Sequence, residues 1–372
     1  MLLNSANANT RIMKHRFFQL AMVLICATLW TVAEEPSSRI YRSKGEWVEE
    51  LTGALAARKT VSIKTETGPI NLQGAQQNTV TYTIHKRVRA QSEQAARREL
   101  GRLRIVATTS GEATMIRSQG TGTRNVSLDF DVHVPVETSL VKLETKGGGI
   151  QLDQIEGSVF ASSSGGDIGI GKVGGDVHVE TGGGAIKIGS AGGQVVASSK
   201  GGALVIGAGS NMKLDTGGGA IHVGKCSGTV KASTAGGTID LNDVVGMAQA
   251  ETGGGAIHAI SVRGGLRAET GGGAIVAELS PDHGTFKDSK LETPSGDIIV
   301  YIPEGFGINI QAFAEFARGP GIITDFSGLQ ITHGNKKWGH QETFAQGSLN
   351  GGGPVLRVHT TAGHIEFRKK KQ

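Results

Sequence analysis

The chain has 372 residues and a formal net charge of +5 at pH 7; 58 residues are glycine, 38% are hydrophobic and 5% are aromatic. Two cysteines are too few for a disulfide framework or a cysteine-ligated metal site, and the small positive charge permits an anionic partner without requiring one. The glycine content is typical of low-complexity chains, but a strict spacing of aliphatic residues excludes disorder for most of the sequence.

The chain begins with the pattern of a secretory signal peptide. A basic stretch at 14–16 precedes an apolar run over 17–30, and small residues up to Ala33 form a cleavage site of the kind that signal peptidase reads. The apolar run is short for a membrane span. We therefore expect residues 1–33 to be removed on export, whether translation starts at the first methionine or at the one at position 13. The one remaining cysteine, Cys226, is expected to be a small filler rather than a nucleophile.

Residues 34–140 are predicted to form an α+β cap. Ser43 and Glu46 resemble a capping box ahead of apolar residues at helical spacing, which favours a helix over 47–55, although an opening strand is the alternative. The other predicted elements are a helix over 91–103 with Ser92 as its N-cap and strands over 60–64, 70–72, 80–88, 104–108 and 126–134, the last of which ends at Pro135. The segment TETGPI at 65–70 already resembles the repeat that follows.

Basic residues cluster in this cap. The predicted basic patch consists of Arg87, Arg89, Arg97, Arg98 and Arg102, with Lys86 and Arg104 beside it. Such a face suits an anionic envelope polymer, and the lack of aromatic residues between the arginines argues against nucleic acid. A solvated face is the simpler interpretation, and we favour it.

Residues 141–300 repeat a phrase of 18 residues. The clearest copies are ETGGGAI from Glu180, Glu251 and Glu269, and DTGGGAI from Asp215. The aliphatic residues that close successive copies are Ile150, Ile168, Ile186, Leu204, Ile221, Ile239, Ile257, Ile275 and Ile298. A fixed period of this size means that each unit must bury its apolar face on its neighbours. We therefore predict an all-β fold, a right-handed parallel β-solenoid of about nine 18-residue coils.

Each coil is predicted to contain two short strands joined by a glycine corner. In the copy at 177–194 the strands cover 177–181 and 185–188, and alternate residues point into the core. The glycines are expected to provide positive φ and to leave room where a Cβ would clash. A hydroxyl residue beside every corner can bond backbone groups that would otherwise be unpaired; these residues are Thr145, Ser163, Thr181, Ser199, Thr216, Thr234, Thr252, Thr270 and Thr293.

Two outward columns of the predicted solenoid carry chemically interesting side chains. In the first, acids alternate with serines over most of the length, but Glu251 and Glu269 are neighbours, which marks a possible binding face for a cation; a solvated edge is the simpler interpretation. In the second, His222, Asp240 and His258 follow one another at successive coils, within reach of a common divalent metal. A surface ladder of two imidazoles and one carboxylate is the alternative, and we favour it.

Beyond Ile275 the regular period is interrupted. A loop around 281–284 is expected to bulge from the stack, Pro303 ends the regular coils, and an aromatic segment over 306–343 is expected to cover the last coil. The predicted organisation is a signal peptide (1–33), an N-terminal capping region (34–140), the solenoid repeats (141–300), and a β C-terminal capping region with a basic tail (301–372).

Sequence motifs for catalysis or cofactor binding do not fit this chain. GIGKVG at 169–174 has the spacing of a dinucleotide-binding loop, but no helix follows it. A calcium β-roll requires an aspartate in every half-coil, and the equivalent column here is mostly glycine and alanine. No HExxH, GxSxG or P-loop is present. We therefore expect no catalytic residues and no cofactor.

With these motifs laid out, the chain resembles the bacterial putative-adhesin family of unknown function, whose members carry a signal peptide, a VxVP strand end and repeated TGGGxI phrases. The matching segments are VHVP at 132–135, the GGGAI copies, GGGPVLRVH at 351–359 and TAGHI at 361–365. The resemblance covers about residues 47–367. It implies a β-solenoid at the cell envelope, and it supplies no catalytic residues.

The sequence thus predicts an exported, non-enzymatic scaffold with adhesin-like binding or display in the periplasm, at the cell surface or outside the cell. Its expected partner is an envelope polymer, a polysaccharide or a surface protein, with no nucleic acid and no transmembrane span in the mature chain. One alternative is a polysaccharide lyase or hydrolase with Glu251, Glu269 and Glu278 as candidate acids, because β-helices commonly carry such activities. A second alternative is a stress-signalling or assembly module that docks another protein.

Overall fold

A computed structural model describes residues 37–120, 125–282, 286–317, 319–337 and 340–370, so the predicted signal peptide lies outside the described residues. One helix, α1, spans Glu93–Leu100. The strands are β1 (Ser37–Ser43), β2 (Glu46–Ala56), β3 (Thr60–Thr65), β4 (Ile70–Ala75), β5 (Thr79–Val88), β6 (Arg104–Ser110), β7 (Ala113–Gln119), β8 (Val126–Pro135), β9 (Leu140–Thr145), β10 (Ile150–Asp153), β11 (Ser158–Ser163), β12 (Ile168–Val173), β13 (Val177–Thr181), β14 (Ile186–Ala191), β15 (Val195–Ser199), β16 (Leu204–Gly209), β17 (Met212–Thr216), β18 (Ile221–Cys226), β19 (Val230–Thr234), β20 (Ile239–Val244), β21 (Ala248–Thr252), β22 (Ile257–Val262), β23 (Leu266–Thr270), β24 (Ile275–Leu279), β25 (Ser289–Thr293), β26 (Ile298–Ile302), β27 (Ile308–Ala317), β28 (Ile322–Thr324), β29 (Leu329–Lys337), β30 (His340–Leu349), β31 (Val355–Thr360) and β32 (Ile365–Lys369). No helix in these ranges is long and apolar enough to cross a membrane.

The predicted parallel β-solenoid is confirmed. From β9 to β26 the chain alternates between two sheets, so that odd-numbered strands form sheet B and even-numbered strands form sheet A. Each strand pairs in parallel with its equivalent in the next coil; Ile186 lies beside Leu204, and Leu204 lies beside Ile221. The core runs between the two sheets, and these three aliphatic side chains are completely buried in it.

The three-glycine corners work by close approach rather than by positive φ. In the phrases from Glu180 to Ile275, none of these glycines has a positive φ, so the predicted positive φ is wrong. The predicted close approach of the backbone is confirmed. The third glycine of each phrase lies directly on the preceding coil, and a Cβ at Gly255 would overlap the carbonyl oxygen of Gly237. The middle glycine, Gly254, has no atom within 4 Å of the place where its Cβ would stand. A Cβ at the first glycine, Gly253, would lie 2.2 Å from the carbonyl oxygen of Ala235, so in this corner the first and third positions require glycine for steric reasons and the middle one does not.

The predicted hydroxyl residues form a continuous hydrogen-bond ladder beside these corners. Thr252 is buried; its Oγ1 donates to the carbonyl oxygen of Gly237 in the preceding coil at 2.8 Å and accepts the N–H of Gly255 at 3.1 Å. The carbonyl of Gly255 in turn accepts from Thr270 of the next coil at 2.8 Å. The ladder links coil to coil from Thr145, which donates to Gly68 at 3.0 Å, to Thr360, which donates to Gly296 at 2.9 Å.

Additional coils lie outside the range of the repeat, and the chain visits them out of order. β3 and β4 stack in parallel on β9 and β10, and β7 and β8 stack on β3 and β4. At the other end, β31 and β32 stack on β25 and β26, and β27 and β28 stack on β31 and β32. The parallel stack therefore extends beyond 141–300 in both directions.

The predicted helix over 47–55 is wrong, because this segment is strand β2. β2 pairs antiparallel with both β1 and β5, and a spacing of four residues suits a strand face as well as a helix face. The later helix is confirmed as α1: the Ser92 side chain accepts the N–H of Ala95 at 3.2 Å, and Leu100 is buried against the end of the core. The predicted strands of this cap are confirmed as β3, β4, β5, β6 and β8.

Alanine substitutions in one corner should separate the two glycine roles. We expect Gly255→Ala to lower the free energy of unfolding by about 2 kcal/mol, since the added methyl forces adjacent coils apart. Gly254→Ala should be neutral or slightly stabilising, because the methyl enters open space and restricts the unfolded chain. Urea unfolding followed by circular dichroism measures both variants, and equal destabilisation would contradict the stacking explanation.

The hydroxyl ladder makes a separate prediction. Thr252→Val keeps the shape of the side chain but leaves the Gly237 carbonyl and the Gly255 N–H without their hydroxyl partner, so we expect a loss of about 2 kcal/mol in stability. Thr252→Ser retains the hydroxyl, as at Ser163 and Ser199 in other coils, and should lose less than half as much. If both variants melt at the same temperature, the ladder is not a source of stability.

Candidate functional site

The outer face of sheet B carries two columns of side chains along the solenoid. The strands from β9 to β25 each present two outward residues, two positions apart, and the parallel register aligns them from coil to coil. The first column consists of Lys142, Phe160, His178, Val196, Lys213, Lys231, Gln249, Arg267 and Lys290. The second column, the acid and serine column of the sequence analysis, consists of Glu144, Ser162, Glu180, Ser198, Asp215, Ser233, Glu251, Glu269 and Glu292.

The structure places Glu251 and Glu269 side by side in the second column, with Glu292 next. The Lys290 ammonium lies 3.4 Å from Oε1 of Glu269 and also contacts Glu292. The hydrogen bond between Lys290 and Glu292 raises the pKa of the ammonium and lowers the pKa of the carboxyl group. A cation of the chain itself therefore stands beside Glu269, and binding of a further cation at this face stays a prediction.

The third candidate acid, Glu278, lies on the opposite side of the molecule. It projects from β24 on the outer face of sheet A, beside Tyr301 of β26, and its carboxylate is 2.7 Å from the ammonium of Lys370. The core separates it from Glu251 and Glu269 on sheet B. Glu278 therefore cannot flank one sugar ring together with either of them, as a glycosidase pair must.

The predicted histidine column is assembled on sheet A. His222, Asp240 and His258 occupy neighbouring positions on β18, β20 and β22. Nδ1 of His258 is 2.8 Å from Oδ1 of Asp240, and Nδ1 of His222 is 4.0 Å from Oδ2. Both rings direct a nitrogen at the carboxylate, and within the described residues no group of three or more His, Cys, Asp or Glu is arranged to hold a metal ion. Metal binding at this column stays a prediction.

Most of the predicted basic patch is paired with acids. Arg87 contacts Asp129; the other pairs are Arg89 with Glu46 at 2.9 Å, Arg97 with Glu93 at 2.6 Å and Arg102 with Glu99 at 3.3 Å. Arg98 is exposed on α1. Because a neighbouring carboxylate offsets each paired guanidinium, this face attracts anions less than the sequence alone suggests, and its role as a binding site stays a prediction.

Cys226 is buried, and its Sγ lies 2.9 Å from the carbonyl oxygen of Ser210. Burial raises the pKa of the thiol, which lowers the fraction of reactive thiolate. These observations agree with a filler role.

A groove of about 510 Å³ lies on the outer face of sheet A and was not predicted from the sequence. The "sheet A groove" crosses β8, β4, β10, β12 and β14. Its outward lining consists of Asn71, Gln73, Asp131, His133, Gln151, Asp153, Gly169, Gly171, Lys187 and Gly189. The glycines of β12 and β14 leave the sheet surface low, whereas amides and carboxylates stand above it on β4, β8 and β10. The groove could not be read from the repeat because its polar strands come from segments before and after β5.

Internal hydrogen bonds order part of the groove. Asn71 Nδ2 donates to Oδ1 of Asp131 at 3.0 Å, and Oδ1 of Asp153 accepts the backbone N–H of Lys172 at 2.8 Å. Gln151 and Lys187 are exposed, and within the described residues their side chains make no hydrogen bond or ion pair. The groove thus offers fixed acceptors beside an amide and an ammonium that are available to a ligand.

The chain matches no family model and no curated protein. Among solved structures it is similar to a "putative adhesin" from Parabacteroides distasonis, with a TM-score of 0.38 and 9% identity over 68% of this chain and 96% of that one. A "putative adhesin" from Bacteroides fragilis has a TM-score of 0.29 and 14% identity, over 72% of this chain and 97% of that one. A "putative cell adhesion protein" from Clostridium sporogenes has a TM-score of 0.18 and 9% identity, over 90% of this chain and 100% of that one. At these scores the likeness supports no assignment of function.

Calorimetry tests the histidine column. If the three side chains bind a divalent ion, titration with Zn²⁺ should release heat at one ion per chain, and Asp240→Ala should abolish the signal because the central ligand is lost. Lys225→Ala, which removes an exposed side chain on the same strand as His222, serves as the control and should leave the isotherm unchanged. A wild-type titration without heat would end the metal hypothesis and leave the hydrogen-bonded ladder.

Proposed function

We propose that this protein is an exported, non-enzymatic β-solenoid that binds a hydroxyl-rich envelope polymer through the sheet A groove, in the manner of an adhesin. The observation that carries the proposal is the groove itself, in which amide, carboxylate and ammonium side chains stand beside a floor of glycine. Export is supported by the signal-peptide pattern of residues 1–33. The polymer is expected to lie across several coils, since the groove crosses five neighbouring strands.

The chemistry of the groove suits a polysaccharide better than a strongly charged polymer. An amide both donates and accepts hydrogen bonds, as a sugar hydroxyl does, and Asn71, Gln73 and Gln151 supply amides on two adjacent strands. The charges of Asp131 and Asp153 oppose that of Lys187, so no single sign dominates. The groove is open along its length, which allows a long chain to bind without its end being threaded into a cavity.

The hydrolase alternative has less support, because the three acids that it would use are divided between opposite faces and two of them are ion-paired. Docking of a protein is the remaining alternative. A docked protein would bind to the same exposed face as the polymer. Protease treatment of the envelope fractions distinguishes the two, because it removes a protein partner and leaves a polysaccharide.

The test compares retention of the mature protein on cell-wall and polysaccharide fractions. We expect Asn71→Ala with Gln151→Ala to weaken binding about 30-fold, because two hydrogen-bonding amides contribute about 2 kcal/mol together. Gln249→Ala is the matched control: it deletes an amide on the outer face of sheet B, and this variant should bind as the wild type does. Retention that disappears after protease treatment of the fraction would favour protein docking, and no retention on any fraction would contradict the proposal.

A further inference from the structure

The two columns on the outer face of sheet B are complementary to each other, strand by strand. β17 presents a cation and an anion, Lys213 and Asp215, at its two outward positions, and β23 likewise presents Arg267 and Glu269. β11 pairs a large apolar side chain with a small one, Phe160 with Ser162. None of the odd-numbered strands from β9 to β25 therefore has two like charges or two bulky side chains at its two outward positions.

Several of these charged side chains have no ion-pair partner among the residues that the structure describes. Lys213, Lys231 and Arg267 of the first column, and Glu180 and Asp215 of the second, make no ion pair among the described residues, although Lys290, Glu269 and Glu292 do. Residues two apart on a strand are roughly 7 Å apart on the same face; Lys290 reaches Glu292 across this distance, but Lys213 makes no ion pair with the shorter Asp215. Phe160, 44% exposed and stacked on His178 at 5.4 Å, adds apolar surface between the charges.

We propose that two copies of this chain associate through the outer faces of their sheets B, with the solenoids parallel. A two-fold axis along the solenoid places the first column of one copy opposite the second column of the other, at the same strand. Lys213 then meets Asp215 of the second copy, and Phe160 meets Ser162. A two-fold axis along the strand direction instead places the first column of one copy against the first column of the other, cation against cation, so only the parallel arrangement is complementary.

The order of charged and uncharged residues along each column also determines the register between the two copies. A shift by one coil moves Phe160 from the small Ser162 to Glu144 or Glu180, so a slipped pair buries charge against an aromatic ring. The nine strands cover a face of roughly 40 Å by 17 Å, about 700 Å² per copy, which approaches the about 800 Å² per partner of a standard interface. An interface that repeats the same contacts on both sides of a two-fold axis is the usual form of a homodimer.

Sedimentation equilibrium of the mature protein tests this pairing at concentrations up to roughly 100 µM, enough to populate a dimer with a micromolar dissociation constant. The wild type should dimerise at low ionic strength and dissociate as salt screens the charges. Lys213→Glu should raise the dissociation constant about tenfold, since it creates two like-charge contacts across the axis. Asp215→Lys should act likewise, and the double variant Lys213→Glu with Asp215→Lys should recover dimerisation to within about threefold of wild type.

The control is Lys225→Glu, which makes the same change of net charge on the outer face of sheet A and should leave the dissociation constant unchanged. Monomeric wild type throughout the concentration range would overturn the proposal. So would equal weakening by Lys225→Glu, or a double variant that is as weak as the single ones. Retention on polysaccharide depends on the opposite face, so failure of dimerisation leaves the proposed function standing.

Discussion

The fold depends on the contact between one glycine corner and the next. At the third glycine of each phrase the backbone lies so close to the preceding coil that no Cβ fits, and the adjacent hydroxyl joins that coil's carbonyl to its own coil's N–H. Steric fit and hydrogen bonding thus act at the same place. Because a buried carbonyl or amide without a partner is costly, a corner that loses either feature disturbs both neighbours, and the repeat is kept uniform along the stack.

This constraint explains where the chain tolerates changes of length. Each coil has a second corner, between the end of its sheet A strand and the next sheet B strand, and among the described residues no hydroxyl ladder connects these corners. The coil before Met212 is one residue short at this corner, between β16 and β17, and the extra residues after Leu279 also lie there, between β24 and β25. The long excursions after β4 and after β26 begin at the same corner. Insertions therefore collect on one edge of the molecule.

The sequence was sufficient for the coils and insufficient for the ends. An 18-residue period determines register directly, so the buried columns, the hydroxyl column and the stacked His222, Asp240 and His258 followed from spacing alone. At 47–55 the same apolar residues fit a helix or a strand, and only pairing with β1 and β5 decides between them. The sheet A groove brings Asn71, Asp131 and Gln151 together across an out-of-order stack, and no local pattern encodes that neighbourhood.

A uniform interior leaves the outward positions as the places where coils can differ, and the two faces have diverged. On sheet A the differences run along the stack: amides at one end, glycines next, then the histidine column. On sheet B they run across each strand, so that neighbouring columns are opposite in charge or size. A surface that varies along its length suits an extended ligand whose units bind at different coils, whereas one that is complementary within every strand suits a copy of itself. Because the core separates the faces, both interactions can occur in one molecule without competing for the same side chains.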